Sequence, residues 1–293
     1  MARLKANGIG IEYETFGNPK DAPLLLIMGL GAQMTAWDDD FCKQLSQRGF
    51  HVIRYDNRDV GLSDKMDSAG MPDIQAAFAG NPQPAYSLDE MADDAVGVLD
   101  ALGIPAAHIV GASMGGFITQ LVGINHPTRA LSLTSIMSGP GGQDAVAPLP
   151  EGLEVLTRVP PQDRESIVEN SVLTRRVLAG AGNPFDEAKE RVKAARGYDR
   201  SYYPVGMARQ LVAVLAAKGR LERLSKVKIP TLVIHGLDDV LVPPDNGKRV
   251  AAAVPGAKLL EFEGMGHNIP EPLWPKVFDA IRENARRASE VTA

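Results

Sequence analysis

The sequence predicts an α/β protein with a mostly parallel central sheet that is flanked by helices on both faces. Short apolar runs, typical of buried strands, alternate along the chain with longer segments of helical periodicity. Strands of a parallel sheet are buried on both faces, so continuous apolar runs favour this class over an antiparallel sheet with one solvated face. The predicted strands lie at residues 24–28, 52–55, 107–110, 130–137, 231–235 and 258–262.

The composition fits one α/β domain with room for an insertion. The chain has 293 residues, of which 44% are hydrophobic and 23% charged, the balance of an ordinary globular protein. The net charge of −5 and the lack of a basic stripe argue against a nucleic-acid partner. The single cysteine, Cys42, is expected to be a packed thiol.

We expect a cytoplasmic location and no membrane partner. The opening residues lack the apolar core of a secretory signal, and no stretch approaches the length of a membrane span. No coiled-coil heptads are evident, so the sequence indicates no particular oligomeric state.

A nucleophile elbow is predicted where the third strand ends, at the letters IVGASMGG of residues 109–116. The pattern Gly-x-Ser-x-Gly on a tight turn between strand and helix projects the serine hydroxyl, here that of Ser113, from the turn. Small flanking residues permit the sharp bend and the close packing of helix on strand. The surroundings favour the elbow over a chance match, because a helical pattern at 88–102 with a Ser87/Glu90 capping box precedes the strand.

His267 is the expected base. In this kind of site the acid, and then the base, follow the serine along the chain. Of the five histidines, only His267 lies in a loop between a late strand and the final helical segment. The others lie in or beside earlier strands and helices or precede the best acid, at positions 51, 108, 126 and 235. The alternative for His267 is a solvated loop histidine.

Asp239 is the expected acid. The fifth apolar run enters a glycine turn, and the Gly-x-x-Asp spacing that follows lets Asp239 turn toward His267. Asp238 is the fallback, and the alternative for both aspartates is capping of the next helix. The acid could also follow the preceding strand, but that strand ends at residues 135–139 without a carboxylate. The choice of acid is therefore between Asp238 and Asp239.

Two backbone N–H groups, those of Leu30 and Met114, are candidates for an oxyanion hole. Leu30 lies in the glycine-rich turn after the first strand, and Met114 begins the helix after Ser113. The loss of one such donor typically costs about 3 kcal/mol of transition-state stabilisation. The alternative at Leu30 is a turn that only reverses the chain.

Four blocks of the sequence resemble the α/β-hydrolase superfamily, and in particular the branch of carboxylesterases that contains aclacinomycin methylesterase. The matching blocks are IMGLG at 27–31, HVIRYDNRDVGLS at 51–63, GASMG at 111–115 and GMGH at 264–267. The resemblance implies an α/β-hydrolase fold and hydrolysis of carboxylic esters by Ser113, Asp239 and His267 without a cofactor. It implies no particular substrate, because the segment that would shape the pocket shows no matching motif.

The chain is expected to divide into an α/β-hydrolase core, residues 1–138 and 220–293, and an inserted helical cap, residues 139–219. The alternation of strands and helices lapses within the expected cap, where helical patterns lie at 163–178, 184–196 and 207–217. A cap over the catalytic edge would select the acyl and alcohol groups that fit.

Other charged and flexible features are expected to be structural. The cap arginines are expected on solvated helix faces, with binding of an anionic substrate as the alternative. They are Arg175, Arg176, Arg191, Arg196 and Arg200. Asp56 and Arg58 are expected to form an internal ion pair or to fix a loop. Residues 67–84, with several glycines and prolines, predict a long loop of the kind that acts as a lid.

The predicted function is two-step acyl transfer on a small-molecule ester, with neither metal nor cofactor. His267, supported by Asp239, takes the proton of Ser113 as its oxygen attacks, and water then releases the acyl group. A lactonase, a thioesterase, a carbon–carbon bond hydrolase and a perhydrolase would share this triad. Haloalkane dehalogenases and epoxide hydrolases are disfavoured, because they use an aspartate nucleophile at the position of Ser113. A ligand-binding α/β-hydrolase with little turnover is the alternative from another class.

Overall fold

A sheet of eight strands forms the centre of the computed structural model, which describes residues 1–159 and 161–291. In chain order the strands are β1 (Ala2–Ala6), β2 (Ile9–Phe16), β3 (Ala22–Ile27), β4 (Phe50–Tyr55), β5 (Ala107–Ala112), β6 (Ala130–Ile136), β7 (Thr231–Gly236) and β8 (Lys258–Phe262). They stand in the order β1-β2-β4-β3-β5-β6-β7-β8. All neighbours from β4 to β8 are parallel, whereas β2 pairs antiparallel with both β1 and β4. The predicted α/β class is confirmed.

A β-hairpin formed by β1 and β2 begins the sheet, although the hydrophobic periodicity predicts no strand before residue 24. Its turn is Asn7-Gly8, with φ angles of 46° and 85°. Positive φ at both positions is the geometry of a type I′ turn, for which Asn-Gly is favoured. The Asn-Gly dipeptide therefore indicates a hairpin that the apolar pattern of the flanking strands does not predict.

Helices cover both faces of the sheet, as predicted. They are α1 (Asp39–Ser46), α2 (Ile74–Phe78), α3 (Leu88–Ala101), α4 (Met114–Asn125), α5 (Pro150–Thr157), α6 (Arg164–Leu178), α7 (Glu187–Arg200), α8 (Pro204–Ala216), α9 (Leu221–Leu224), α10 (Asp245–Ala253) and α11 (Trp274–Val291). Leu25 and Ile27 belong to the core layer that contains α3, α4 and α10, whereas Leu24 and Leu26 belong to the layer that contains α1 and α11. Alternate side chains of β3 therefore supply both layers.

Helices α5 to α8 lie in residues 139–219, between β6 and the short helix α9 that precedes β7, and we refer to these residues as the inserted segment. The helix predicted at 184–196 spans Glu187–Arg200, because the side chain of Asp186 caps it by accepting from the N–H of Lys189. The helix predicted at 207–217 begins at Pro204, whose fixed φ suits a first helical turn. None of the helices in residues 1–159 and 161–291 combines the length and the hydropathy of a membrane span.

Residues 67–84, predicted as a long loop, contain the short helix α2. The side chain of Asp73 caps this helix by accepting from the N–H of Ala76 at 2.8 Å. Helix α2 packs against α8 of the inserted segment. The loop is therefore partly helical and attached to a neighbouring element.

The buried imidazole of His108 makes the fold sensitive to acid. Burial lowers the pKa of His108 to about 4, and its Nδ1 lies 2.9 Å from the Ser132 hydroxyl. Since the unfolded chain binds the proton below an ordinary pKa of about 6.5, the stability contributed by neutral His108 is lost as the pH falls from about 6.5 toward 4. Between pH 7 and pH 4, we expect the unfolding free energy of His108→Gln to fall by about 2 to 3 kcal/mol less than that of the wild type. Urea titrations of both proteins at pH 7 and pH 4 measure this difference, and equal losses for the two would contradict it.

Candidate active site

Ser113 lies on a sharp turn between β5 and α4. Its φ of 56° and ψ of −123° place it in a region that L-residues rarely adopt. A Cβ on Gly111 would lie 2.0 Å from the carbonyl oxygen of Gly115, and a Cβ on Gly115 would lie 2.1 Å from that of Ile27. Glycine is therefore a steric requirement at both positions. The Ser113 N–H donates to the carbonyl of Ile136 at 2.9 Å, which continues the pairing with β6 into the turn.

The two candidate oxyanion donors belong to backbone segments next to Ser113. Met114 is the first residue of α4, so its N–H has no intrahelical acceptor. The turn after β3 passes against the serine, since a Cβ on Gly29 would lie 2.9 Å from the Cβ of Ser113. Leu30 follows in that turn, which the N–H of Ala32 closes by donating to the Gly29 carbonyl at 3.2 Å.

Asp239 and His267 are joined by a hydrogen bond. His267 Nδ1 lies 2.7 Å from Asp239 Oδ2, and the aspartate is buried. Its other oxygen accepts from the N–H groups of Leu241 at 3.0 Å and Val242 at 2.8 Å. Asp238 points elsewhere and accepts from the N–H of Ala181 at 3.0 Å. The geometry therefore places Asp239, and not Asp238, against the imidazole.

The serine and the imidazole lie at the same edge of the sheet, but no hydrogen bond joins them. Ser113 follows β5, and His267 lies in the loop after β8, both at carboxyl ends of parallel strands. Among the residues that the structure describes, Ser113 Oγ has no hydrogen-bond partner, and His267 Nε2 has none either. The Asp–His half of the predicted triad is therefore assembled, and the Ser–His contact stays a prediction.

His235, set aside by the order of residues along the chain, lies behind Asp239. It is fully buried, and its Nε2 lies 2.7 Å from the carbonyl oxygen of Val242 and 3.6 Å from Asp239 Oδ2. Because a carbonyl only accepts, Nε2 carries the proton. Burial lowers the pKa of His235, which keeps the ring neutral. The ring thus fixes the turn whose N–H groups hold Asp239.

The acidic residue Asp56 fixes the loop after β3 and pairs with an arginine of the inserted segment. Its Oδ1 accepts from the N–H of Met34 at 2.7 Å, and its Oδ2 lies 2.7 Å from the Arg200 guanidinium. The expectation of a solvated face is therefore wrong for Arg200, whose side chain is 12% exposed. Arg58 binds Asp94 instead, at 2.6 Å. Local periodicity places Arg200 on a polar helix face but does not reveal its distant partner.

The chain belongs to the alpha/beta hydrolase fold family, which it matches over residues 22–271. A rhodomycin D methylesterase of Streptomyces peucetius is 33% identical over 94% of this chain and 95% of its own length. A 2-hydroxy-6-oxononadienedioate/2-hydroxy-6-oxononatrienedioate hydrolase of Burkholderia vietnamiensis is 29% identical over 88% of this chain and 84% of its own. The resemblance inferred from the four sequence blocks is confirmed.

Solved structures share the fold over nearly the whole chain. A meta-cleavage product hydrolase from Pseudomonas fluorescens superposes with a TM-score of 0.77 at 20% identity, covering 98% of both chains. A thermophilic esterase from Thermogutta terrifontis gives 0.71 at 22% identity, again covering 98% of both chains. At these identities the likeness shows the fold alone.

The glycine requirement at the elbow predicts a large loss of stability in Gly115→Ala. The added Cβ meets a backbone carbonyl that cannot rotate away, so we expect a loss of about 3 kcal/mol or more of unfolding free energy. Gly197→Ala is the matched control, because a Cβ there meets only Gln33 Nε2 at 4.0 Å. That change in α7 should be neutral or stabilising by up to about 1 kcal/mol. Urea unfolding of both variants measures the contrast, and similar effects would contradict the steric account.

Proposed function

We propose that the chain hydrolyses carboxylic esters of small molecules by means of Ser113, His267 and Asp239. The observation that carries the proposal is the 2.7 Å hydrogen bond between His267 and Asp239 at the edge where the Ser113 turn also lies. A methylesterase relative of 33% identity supports the same chemistry. Esters are the class of substrate that the sequence resemblance also implies.

The proposed reaction proceeds through an acyl-enzyme. His267 takes the proton of Ser113 as Oγ attacks the ester carbonyl, and the proton is then given to the departing alcohol. Water, deprotonated by the same imidazole, attacks the acyl-serine and releases the acid. Asp239 holds the tautomer with the proton on Nδ1 and stabilises the imidazolium that forms at each step.

The N–H groups of Leu30 and Met114 are proposed to bind the oxyanion of each tetrahedral intermediate. Both belong to backbone held in place by its surroundings: Met114 by the first turn of α4, and Leu30 by the closed turn after β3. Preorganised donors of this kind need no reorganisation when charge develops on the oxygen. Besides the ester and water, the proposed steps use only groups of the chain.

We also propose that residues 139–219 act as a cap on a core formed by residues 1–138 and 220–293. Backbone groups of the inserted segment bond to the loops that carry the acid and the base. The His267 N–H donates to the Leu178 carbonyl at 2.6 Å, and the Leu149 N–H donates to the Val240 carbonyl at 2.9 Å. A segment in contact with these loops is well placed to select acyl and alcohol groups.

Cleavage of a carbon–carbon bond is the second candidate. Several relatives of 28% to 29% identity are named as 2-hydroxy-6-oxononadienedioate hydrolases, and the named compound contains no ester. A panel of methyl esters, p-nitrophenyl esters, lactones and 2-hydroxy-6-oxononadienedioate, the keto acid in those names, separates the two reactions. The proposal predicts the highest kcat/KM for an ester, and turnover of the keto acid alone would overturn it.

A fluorophosphonate probe tests the proposed nucleophile. We expect labelling of the wild-type chain, no labelling of Ser113→Ala, and loss of ester turnover by at least about 1,000-fold in Ser113→Ala and His267→Ala. Ser225→Ala is the control, since its hydroxyl donates only to the nearby Glu222 carbonyl and should leave both readouts unchanged. Labelling of Ser113→Ala as strong as that of the wild type would rule out this assignment.

The adjacent aspartates provide an internal comparison. Asp239→Asn should lower kcat on the order of 1,000-fold or more, because an amide cannot offset the positive charge of the imidazolium. Asp238→Asn should change kcat by less than about tenfold, because an amide oxygen still accepts from the Ala181 N–H. Steady-state kinetics with one ester measures both variants. The reverse ranking would move the acid by one position.

A further inference from the structure

The turn that carries the Leu30 N–H is bound by a side chain from the inserted segment. Gln210 of α8 is completely buried, and its Oε1 accepts from the N–H of Gly31 at 2.8 Å. Its Nε2 donates to the carbonyl of Arg58 at 2.8 Å. Both ends of the amide are therefore used, and one of them holds the residue directly after the proposed oxyanion donor.

The hydrogen bonds around Leu30 determine the direction of its N–H. Peptide units are planar, so only the φ and ψ angles between them are soft. The unit before the donor is held at the Met28 carbonyl, which accepts from Asn57 Nδ2 at 2.9 Å. The unit after it is held at the Gly31 N–H by Gln210. The unit that carries the Leu30 N–H lies between these two, and its own Gly29 carbonyl accepts from the Ala32 N–H at 3.2 Å, the long bond that closes the turn.

Helix α8 is itself attached to the core beside this turn. Arg209 Nη1 lies 2.8 Å from Asp59 Oδ1, with both side chains buried. Met207 packs directly over the turn, since a Cβ on Gly31 would lie 2.7 Å from Met207 Cγ. Gly31 has a φ of 65°, a conformation that glycine adopts readily, so Gln210 and Met207 and not backbone strain restrict the turn on this side. The position of α8 and the geometry of the turn are therefore linked through Gln210.

We propose that Gln210 is a positioning residue for the oxyanion hole, through which the inserted segment controls the alignment of the Leu30 N–H. This inference rests on the proposed function. Loss of the Gly31 hydrogen bond would leave the turn held on this side only by the 3.2 Å bond from Ala32 to Gly29, so the Leu30 unit could tilt, and a misaligned donor stabilises the transition state less. Substrate binding does not use this donor fully, so the effect belongs in kcat rather than in KM.

Three variants test the proposal with an ester that the wild type hydrolyses. Gln210→Met removes both hydrogen bonds at similar volume, and we expect kcat to fall about 10- to 100-fold with KM within about threefold of the wild type. Gln210→Glu keeps an acceptor for the Gly31 N–H and should retain a kcat at least about fivefold above that of Gln210→Met. If Gln210→Met does not fold, Gln210→Asn replaces it, because its shorter amide cannot reach Gly31, and the same loss of kcat is expected.

Asn284→Leu is the matched control. Asn284 is a buried amide of α11 that donates to the Leu133 carbonyl at 2.9 Å, away from the turn. Its replacement should lower the melting temperature and leave kcat unchanged at 25 °C. A purely structural role for Gln210 would give the same pattern, with kcat unchanged in the Met or Asn variant, and that result would overturn the inference.

The outcome also separates this inference from the proposed function. A wild-type chain that is neither labelled by a fluorophosphonate nor active on any ester would overturn both. An active, labelled wild type together with a Gln210 variant of unchanged kcat would overturn only the role of Gln210. A fall in kcat that Gln210→Glu reverses in part supports the role, because the Glu variant restores an acceptor and not the complete amide.

Discussion

The close approach between the turn after β5 and the end of β3 is the constraint on which the candidate site depends. The backbone of Gly115 lies so near the carbonyl of Ile27 that a Cβ would come within 2.1 Å of its oxygen. This contact seats the first turn of α4 against β3 and leaves Ser113 beside the turn that carries Leu30. Because parallel strands end at one edge of the sheet, the loops that carry Asp239 and His267 lie along that edge as well.

The inserted segment forms hydrogen bonds with the loops at this edge of the sheet. Its polar contacts reach the turn after β3, the loop of the acid and the loop of the base. A buried pair such as Arg209–Asp59 adds little net stability, but it becomes costly when one partner is left alone. Such contacts therefore favour one arrangement of segment and core over others. The elements proposed to select the substrate also hold the groups proposed to act on it.

Local sequence patterns predict the parts of the site that depend on local geometry. The glycines around Ser113 predict the elbow, and the Gly-x-x-Asp spacing after β7 predicts the turn that brings Asp239 to the imidazole. His267 is predicted from its position after the acid and before the last helix. The missed features depend on pairs of residues far apart in sequence. Gln210 and Gly31 are separated by 179 positions, and no periodicity within α8 indicates its partner. The β1–β2 hairpin is different, because its Asn-Gly turn is a local signal that apolar patterning alone overlooks.

Acid quench of the wild-type chain during the first turnover of p-nitrophenyl acetate, followed by peptide mass spectrometry, tests the central claim most directly. Covalent catalysis at the elbow predicts one acetyl group per chain, on the peptide that contains Ser113, and its loss as the ester is consumed. Acetylation of a different side chain during turnover, or ester hydrolysis without an acetylated Ser113 peptide at any quench time, would contradict it.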